Sequence, residues 1–449
     1  MDVIAVLLDL GASVVLPVFI FLIGLILKVK PGQAFRAGLT VGIGFVGINL
    51  VINLLVESLG PAAKDMVKQW GLDLNIIDVG WPATSAIAFG SAVGALAIPI
   101  GLLVNLGMLL FGLTRTLNID MWNLWHIAFT GALVTIMTDD FVLGVLTAIV
   151  HAILLLVLGD LSAKHISDYY GYQNITFPHG TSAPYYLIAL PLEKLFNRIP
   201  GFRDWKADPE TIQKRLGIFG ESTVLGLILG ILIGFLAGWE AAEVLGLGVK
   251  TAAVMLLLPR MVALLMEGLI PISEAAEQFV RKRFPGRELY IGMDSALAVG
   301  HPAAIAASLI MVPIVLAMAV IVPGNQVLPF GDLATIPFIV CMMVPIFRGN
   351  VIRTVIGATV SLAFGLLLAT SIAPLFTTAA KNAGFDMPAG AAAVSSLVDG
   401  AVPTTAIFIF GAKLGYAGII GIGALTLAAA YLLNRRRSLA KPKGQAMDG

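Results

Sequence analysis

Seven acidic or imidazole side chains sit within or beside long apolar stretches, where water cannot serve them. Asp78 lies in Ile77-Asp78-Val79-Gly80-Trp81-Pro82, and His126 in Trp122-Asn123-Leu124-Trp125-His126, with Thr130 one helical turn on. His179 lies in Phe177-Pro178-His179-Gly180-Thr181-Ser182, Asp294 in Gly292-Met293-Asp294-Ser295, and His301 follows within the same apolar run. Asp332 ends Pro329-Phe330-Gly331-Asp332, and Asp399 sits in Val398-Asp399-Gly400. An ionisable group inside a membrane segment costs roughly 2.5–3.5 kcal/mol on insertion scales, so each is a candidate for function. Carboxylates accept hydroxyl hydrogen bonds, imidazole and the Asn/Gln amides both donate and accept, and Trp81 offers an apolar face. This mixture suits a neutral polyhydroxylated ligand. A carboxylate ligand would call for Arg or Lys, and none lies in the stretches that hold these candidates; Arg348 and Arg353 flank Gly349-Asn350 and read as a cytoplasmic loop. No His, Asp or Cys pair has tight metal-ligand spacing, so neither a metal nor a cofactor is expected.

Each candidate has a plainer reading. His126, His179 and His301 stand beside Gly, Pro or aromatic residues where helices break, which favours ligand contact. His151 lies on a smooth apolar helix face and reads as structural, and His165 lies in a polar loop. Asn325 and Gln326 follow Pro323-Gly324 and serve equally well as caps for freed backbone or as ligand contacts. Glu57 and Glu267 each end an apolar run shortly before a proline and read as helix-end residues at the interface. Cys341, the single cysteine, excludes an internal disulfide and reads as a buried thiol.

The elements that must position these residues are membrane helices. Of 449 residues 58% are hydrophobic and 12% charged, about half the charge of a soluble domain. The net charge of +1 gives no bulk attraction to nucleic acid. Apolar runs occur at Gly11–Lys28, Ala34–Val56, Ala83–Phe111, Asn123–Met137, Phe141–Leu158, Thr176–Leu192, Phe219–Gly238, Leu247–Glu267, Ile291–Val322, Leu333–Phe347, Val351–Ile372, Ala389–Phe410 and Ala417–Leu433. The first reads as a permanent span, because Asp2 and Asp9 precede it in place of a basic signal region. Ala83–Phe111 and Ile291–Val322 exceed one simple span and carry internal Pro or Gly, so they read as re-entrant hairpins or broken helices. Lys and Arg in the loop 193–215, in the tail (Arg435, Arg436, Arg437, Lys441, Lys443) and at Lys28, Lys30 and Arg36 place these segments in the cytoplasm and the N-terminus outside. No G-x-x-x-x-G-K-[ST] phosphate loop is present, so no built-in ATPase is expected.

The chain also echoes itself. Leu54-Leu55-Val56-Glu57-Ser58-Leu59-Gly60-Pro61 returns 210 residues on as Leu264-Leu265-Met266-Glu267-Gly268-Leu269-Ile270-Pro271. Val79-Gly80-Trp81-Pro82-Ala83 returns 220 residues on as Val299-Gly300-His301-Pro302-Ala303, and His179-Gly180 keeps that offset with Asp399-Gly400. The first Glu-x-Leu-x-Pro copy leads to an outside loop and the second to Arg281-Lys282-Arg283 and Arg287, which should be inside. Opposed copies are the expectation for an inverted-topology transporter with its site between the repeats. The expected fold is therefore an all-α polytopic membrane protein in one integral-membrane unit. Repeat 1 spans about 11–192, repeat 2 about 219–410, and a last helix with a basic tail covers 411–449.

Several stretches resemble the galactitol permease IIC family of the bacterial phosphoenolpyruvate-dependent sugar phosphotransferase system, and more distantly its ascorbate relatives. They are 42–48, Val79-Gly80-Trp81-Pro82, 122–126, Pro178-His179-Gly180-Thr181-Ser182-Ala183, 250–257 and, most specific, Pro323-Gly324-Asn325-Gln326-Val327-Leu328-Pro329-Phe330-Gly331-Asp332-Leu333-Ala334-Thr335-Ile336. The resemblance implies about eleven helices plus two re-entrant hairpins, divided into a mobile core and a dimerising scaffold, with an elevator-like movement of the core in a homodimer. It implies ligand contacts at Asp78, Val79, His126, Thr130, His179, Asp294 and Asp332; the residue reading adds Trp81, Gly180 and His301 to the substrate-binding set. Thr130 and Asp332 differ in type from the ascorbate relatives, in keeping with a linear polyol. The implied chemistry is group translocation in a bacterial inner membrane. The polyol is presented to a separate IIB subunit, phosphorylated on cysteine and supplied by IIA, and a substrate hydroxyl receives the phosphoryl group. His179, Asp294 and a group on IIB all remain open as base. The rival reading is an ion-coupled secondary transporter in which Asp294, Asp332 and Asp399 carry protons or Na⁺.

Overall fold

The computed structural model describes residues 12–439 apart from 72–73, 119, 206, 217, 219–220, 284–288, 330, 386 and 388–390. Asp2, Asp9, Gly11, Phe219, Arg287, Phe330, Ala389, Lys441 and Lys443, which enter the expectations above, lie outside the described residues. The chain is mainly helical. Its first half runs α1 (Ala12–Ile26), α2 (Pro31–Gln69), β1 (Ile76–Asp78), α3 (Trp81–Phe89), α4 (Ala92–Leu110), β2 (Thr116–Asn118), α5 (Trp125–Thr138), α6 (Phe141–Tyr170), β3 (Ile175–Thr176) and α7 (Ala183–Phe196). After α8 (Pro209–Leu216) the same order returns: α9 (Ser222–Leu236), α10 (Ala241–Arg283), β4 (Tyr290–Gly292), α11 (Ala296–Val299), α12 (Pro302–Ile321), β5 (Val327–Leu328), α13 (Ile336–Val340), α14 (Val351–Asn382), β6 (Ala393–Ser395) and α15 (Pro403–Ala412). Helix α16 (Gly415–Leu439) ends the described chain. Among the described residues six helices, α4, α6, α10, α12, α14 and α16, are long and apolar enough to cross a membrane.

The correspondence reaches single residues 210 apart. Left-handed Lys28 (φ 63°) and Gly238 (φ 72°) close α1 and α9, and left-handed Asp139 (φ 52°) and Gly349 (φ 76°) precede α6 and α14. Asp140 then caps α6 by accepting from Leu143 N at 3.0 Å, and Asn350 caps α14 by accepting from Arg353 N at 3.0 Å. Close helix contacts recur at the same interval. A Cβ on Gly24 would strike Ala34 and one on Gly38 would strike Pro17 O, while Gly234 meets Val244 and Gly248 meets Leu227 O in the same way. The hairpin-like break between α3 and α4 at Gly90-Ser91 matches the break between α11 and α12 at Gly300-His301, and Ser91 and His301 each cap the following helix.

Among the described residues six strands, none foreseen from the all-α reading, form two small parallel sheets, β5-β1-β6 and β2-β4-β3. Each central strand comes from one half and its two neighbours from the other. Exchanging every strand for its counterpart turns one sheet into the other. Each strand is two or three residues long, too short for an alternating pattern to show in sequence. Each lies in a polar interruption between helices, where unpaired backbone would otherwise be buried.

Other expectations shift. Glu57 and Glu267 do not end helices: α2 and α10 run on through Pro61 and Pro271 for 39 and 43 residues. The pairing of Val79–Pro82 with Val299–Pro302 is not positional, since the first opens α3 and the second spans the α11–α12 break. Leu333–Phe347 holds a 3₁₀ turn at Leu333–Thr335 and the short α13 before a series of turns, and the run that begins near Ala389 holds β6, more turns and then α15.

The polar loop after α7 is tied down. Arg353, buried in the first turn of α14, donates from Nη1 to both Glu193 oxygens (2.9 and 3.1 Å) and to Asn197 Oδ1 (3.1 Å), and from Nη2 to Phe202 O (2.8 Å) and Arg203 O (3.0 Å). Asn350 Nδ2 donates to Trp205 O at 2.6 Å and Val351 N to Ala207 O at 2.9 Å, so the loop is laid over the start of α14. Removing one partner of a buried pair strands the other charge. Arg353→Ala is therefore expected to cost about 3–5 kcal/mol, and Arg353→Met with Glu193→Leu much less than Arg353→Ala alone. Thermal unfolding in lipid nanodiscs checks both, and an unchanged midpoint for Arg353→Ala would contradict the assignment.

Candidate functional site

The breaks between helices deliver the polar side chains to one buried region. His126 stands in the first turn of α5, just after a 3₁₀ turn at Met121–Leu124. His179 stands in the non-helical stretch between β3 and α7, and Asp294 in the turn between β4 and α11. Their rings and carboxylate meet: His126 Nε2 is 3.2 Å from His179 Nε2, and His179 Nε2 is 3.6 Å from Asp294 Oδ1. His126 also stacks on Trp125 with ring centroids 4.3 Å apart, and His179 lies parallel to Phe338 at 5.7 Å. Gly180 is required by this packing, because a Cβ there would overlap His126 Cβ and its ring carbons.

A second group is built on Asp78 and Asp332. Asp78 ends β1, in register with Ser395, and accepts from Gly80 N (3.2 Å), Leu397 N (3.2 Å) and Asp332 N (2.9 Å). Asp332 accepts from Trp81 N (2.9 Å), Thr335 Oγ1 (3.2 Å), Ser396 Oγ (2.6 Å) and Val398 N (2.9 Å). Both carboxylates are fully buried and engaged with neighbouring chain segments. Val79 is half-buried and donates its N–H to Ser395 O at 2.9 Å, while Trp81 opens α3 with its ring 39% exposed.

The turn after β6 links the two groups. Ser396 binds Asp332, and Asp399 N donates to Ser396 Oγ at 3.2 Å. The Asp399 carboxylate accepts from Thr181 Oγ1 at 2.9 Å and stands 3.3 Å from His126 Nδ1. On the other side Ser182 Oγ lies 3.2 Å from His179 Nδ1 and 2.7 Å from Ser295 Oγ, and Asp120 Oδ2 accepts from Asp294 N at 3.1 Å.

Of the ten sequence candidates, His126, His179, Gly180 and Asp294 make one cluster, and Asp78, Val79, Trp81 and Asp332 make its neighbour. Thr130 lies one turn below His126, but its hydroxyl pairs with His151 Nδ1 at 2.8 Å. His301 stands apart, capping α12 and packing on Tyr169 and Tyr170 with centroids 5.1 and 5.3 Å away. Thr181, Ser182, Ser295, Ser396 and Asp120 are additions. Thr181 and Ser182 lie in a stretch whose histidine had already marked it, and Asp120 stands 212 residues before Asp332 at the same place in its half. A cavity of about 190 Å³, lined by Ile87, Ser91, Val93, Thr135, Ala379 and Asn382 among others, sits at the α3–α4 turn and contains none of the ten.

Chemically, the cluster offers imidazole, carboxylate and hydroxyl groups. Among the described residues no Lys or Arg side chain pairs with His126, His179, Asp294 or Asp399, and no three His, Cys, Asp or Glu side chains converge as a metal site. The array matches hydroxyl groups better than an anion. The saturation of Asp332 has a measurable consequence. Asp332→Asn would turn an NH₂ toward internal donors and is expected to destabilise the fold by about 2–3 kcal/mol, whereas Asp294→Asn should leave the unfolding midpoint little changed. Unfolding of the two variants side by side checks this, and equal midpoints would contradict it.

Residues 6–390 match the family described as the PTS system sugar-specific permease component. The galactitol-specific EIIC component of the PTS of Escherichia coli (strain K12) is 43% identical over 436 residues, covering 97% of this chain and 96% of that protein. The galactitol-specific EIIC component of Escherichia coli O157:H7 matches to the same extent, with 43% identity over 436 residues. With a multi-pass set of apolar helices and a buried polar cluster free of lysine and arginine, the chain belongs to the sugar-specific permease components of the phosphotransferase system and is a multi-pass inner-membrane protein.

Proposed function

We propose that this chain is the galactitol permease of its phosphotransferase system and that it binds the polyol at the His126–His179–Asp294 cluster. The observation that carries the reading is the union of 43% identity to galactitol-specific components with a site built from hydroxyl-compatible groups. The polyol is handed across the membrane to a phosphorylated IIB subunit, charged by IIA, and one of its hydroxyls takes the phosphoryl group. Asp78, Val79, Trp81, Thr130 and Asp332 shape the surroundings, and His301 caps α12 at the α11–α12 turn, apart from the cluster.

The fold in this reading is an inverted repeat. The paired left-handed residues, the paired glycine contacts and the exchanged strands support it. The α3–α4 and α11–α12 units act as re-entrant hairpins; α3, at nine residues, is about 13 Å long, under half a bilayer core. Because each sheet takes strands from both halves, the two hairpin regions are tied into one body. That body is the mobile core of an elevator, and the glycine-packed α1, α2, α9 and α10 are its scaffold. Exposed Phe35, Leu39, Ile43, Val46 and Leu50 make an apolar stripe along α2 that suits lipid and a second copy of the chain in a homodimer. The N-terminus faces out and the C-terminus lies in the cytoplasm, in keeping with the basic loops.

Inverted membrane vesicles bearing the chain, given radiolabelled galactitol with and without phosphorylated IIB, test the function. Galactitol phosphate is expected only when phosphorylated IIB is present. Free galactitol accumulating under an ion gradient without IIB would sink the reading and favour the ion-coupled one. Gly180→Ala, which pushes the His126 ring out of place, is expected to lower galactitol phosphorylation by about tenfold to a hundredfold in a protein that still folds. Wild-type rates in that variant would remove His126 from the site.

A further inference from the structure

The hydrogen bonds around His126 have a direction. Ser182 N–H donates to His179 Nδ1 at 3.3 Å, so neutral His179 carries its lone pair on Nδ1 and its proton on Nε2. That proton faces His126 Nε2 at 3.2 Å, with Asp294 Oδ1 as a flanking acceptor at 3.6 Å. His126 Nε2 then accepts, which puts the His126 proton on Nδ1. This Nδ1 is buried without an aligned hydrogen bond, and Asp399 Oδ1 stands 3.3 Å away. Asp399 is itself held in place, because Oδ1 accepts from Thr181 Oγ1 and its N–H donates to Ser396 Oγ. A second shell that fixes which imidazole nitrogen carries the proton is the means by which a carboxylate directs a histidine.

We propose that Asp399 is a positioning residue that holds His126 as its Nδ1–H tautomer, so that the Nε2 lone pair is kept for a hydroxyl of the substrate. The pair His126 Nε2 and His179 Nε2–H then presents one acceptor facing one donor. A hydroxyl that parts this pair, 3.2 Å apart in the empty site, and inserts between the two nitrogens replaces their one hydrogen bond with two, donating to His126 while accepting from His179; a carbonyl or ether oxygen can only accept. This selects for an alcohol over its oxidised or methylated analogue at that carbon. The polyol's identity rests on the function proposed above, whereas the tautomer rests on this geometry alone.

The test uses the full chain in lipid nanodiscs with ring-¹⁵N histidine, His126 being assigned by loss of its signals in His126→Gln. The wild type is expected to show His126 protonated on Nδ1 and bare on Nε2. Asp399→Leu is expected to lose that pattern and about tenfold in galactitol affinity by calorimetry, one hydrogen bond's worth. Asp399→Asn keeps an acceptor oxygen for Thr181 and His126 and should retain the pattern and most of the affinity. A wild-type His126 protonated on Nε2 overturns the proposal without any variant having to fold. So does a leucine variant with the wild-type pattern, or an asparagine variant as impaired as the leucine one. If the wild type shows the Nδ1–H pattern but does not bind galactitol, the substrate reading fails and the tautomer assignment stands.

Discussion

Wherever a helix breaks inside this protein, the backbone groups it frees must find partners away from water, and that requirement shapes the rest. An unpaired buried N–H or C=O costs on the order of a hydrogen bond or more. Two devices meet the demand. Short parallel strands pair the interruptions with one another, and buried carboxylates gather the N–H groups that strands leave over. Asp78 takes three and Asp332 takes two, with hydroxyls besides. Asp160 does the same on the other side, accepting from Arg115 N and Thr116 Oγ1 beside β2.

The same demand explains why the halves interlock. A two-residue strand such as β3 or β5 cannot stand alone, so each is clamped on a central strand from the opposite half. The buried polar cluster is a by-product of that clamping. His126 and His179 come from the first half, Asp294 and Asp399 from the second, and they meet where the exchanged strands end. Carboxylates that hold backbone are fixed and spoken for. Asp294 differs: its Oδ1 both accepts from Ala296 N and stands 3.6 Å from His179 Nε2, and it is the acid best placed to meet a ligand. Similar residue types in similar apolar settings thus divide between holding the chain and lining the histidine cluster.

Much of this was legible in the sequence, and for physical reasons. Apolar runs of about 20 residues announce helices, Gly300 beside Pro302 announces a break, and intramembrane acids and histidines announce the polar region; in the first long run the break falls at Gly90-Ser91, while Pro99 and Gly101 lie inside α4. The 210-residue echo at Glu57 and Glu267 was visible because both segments are long helices with the same packing duties. What stayed hidden was carried by geometry between distant segments. Strands of two or three residues have no period to detect. Asp78 and Asp294 look alike as letters, and only their donors tell them apart. The helix-ending reading of Glu57 failed because a proline such as Pro61 lacks an N–H yet can be accommodated within a long packed helix. Asp399 was visible as a charge in an apolar run, but its bond to Thr181 and approach to His126 join residues more than 200 positions apart.

The proposed placement of galactitol against His126, His179 and Asp294, with Asp78 and Asp332 held back as scaffolding, can be seen in a cryo-electron microscopy map of the protein in nanodiscs with saturating galactitol. Polyol density is expected to touch both imidazoles and Asp294, with Asp78 and Asp332 still bound to their backbone donors. Density in the apolar cavity at the α3–α4 turn, or a polyol held by Asp78 and Asp332 after they have released Gly80, Trp81 and Val398, would contradict it.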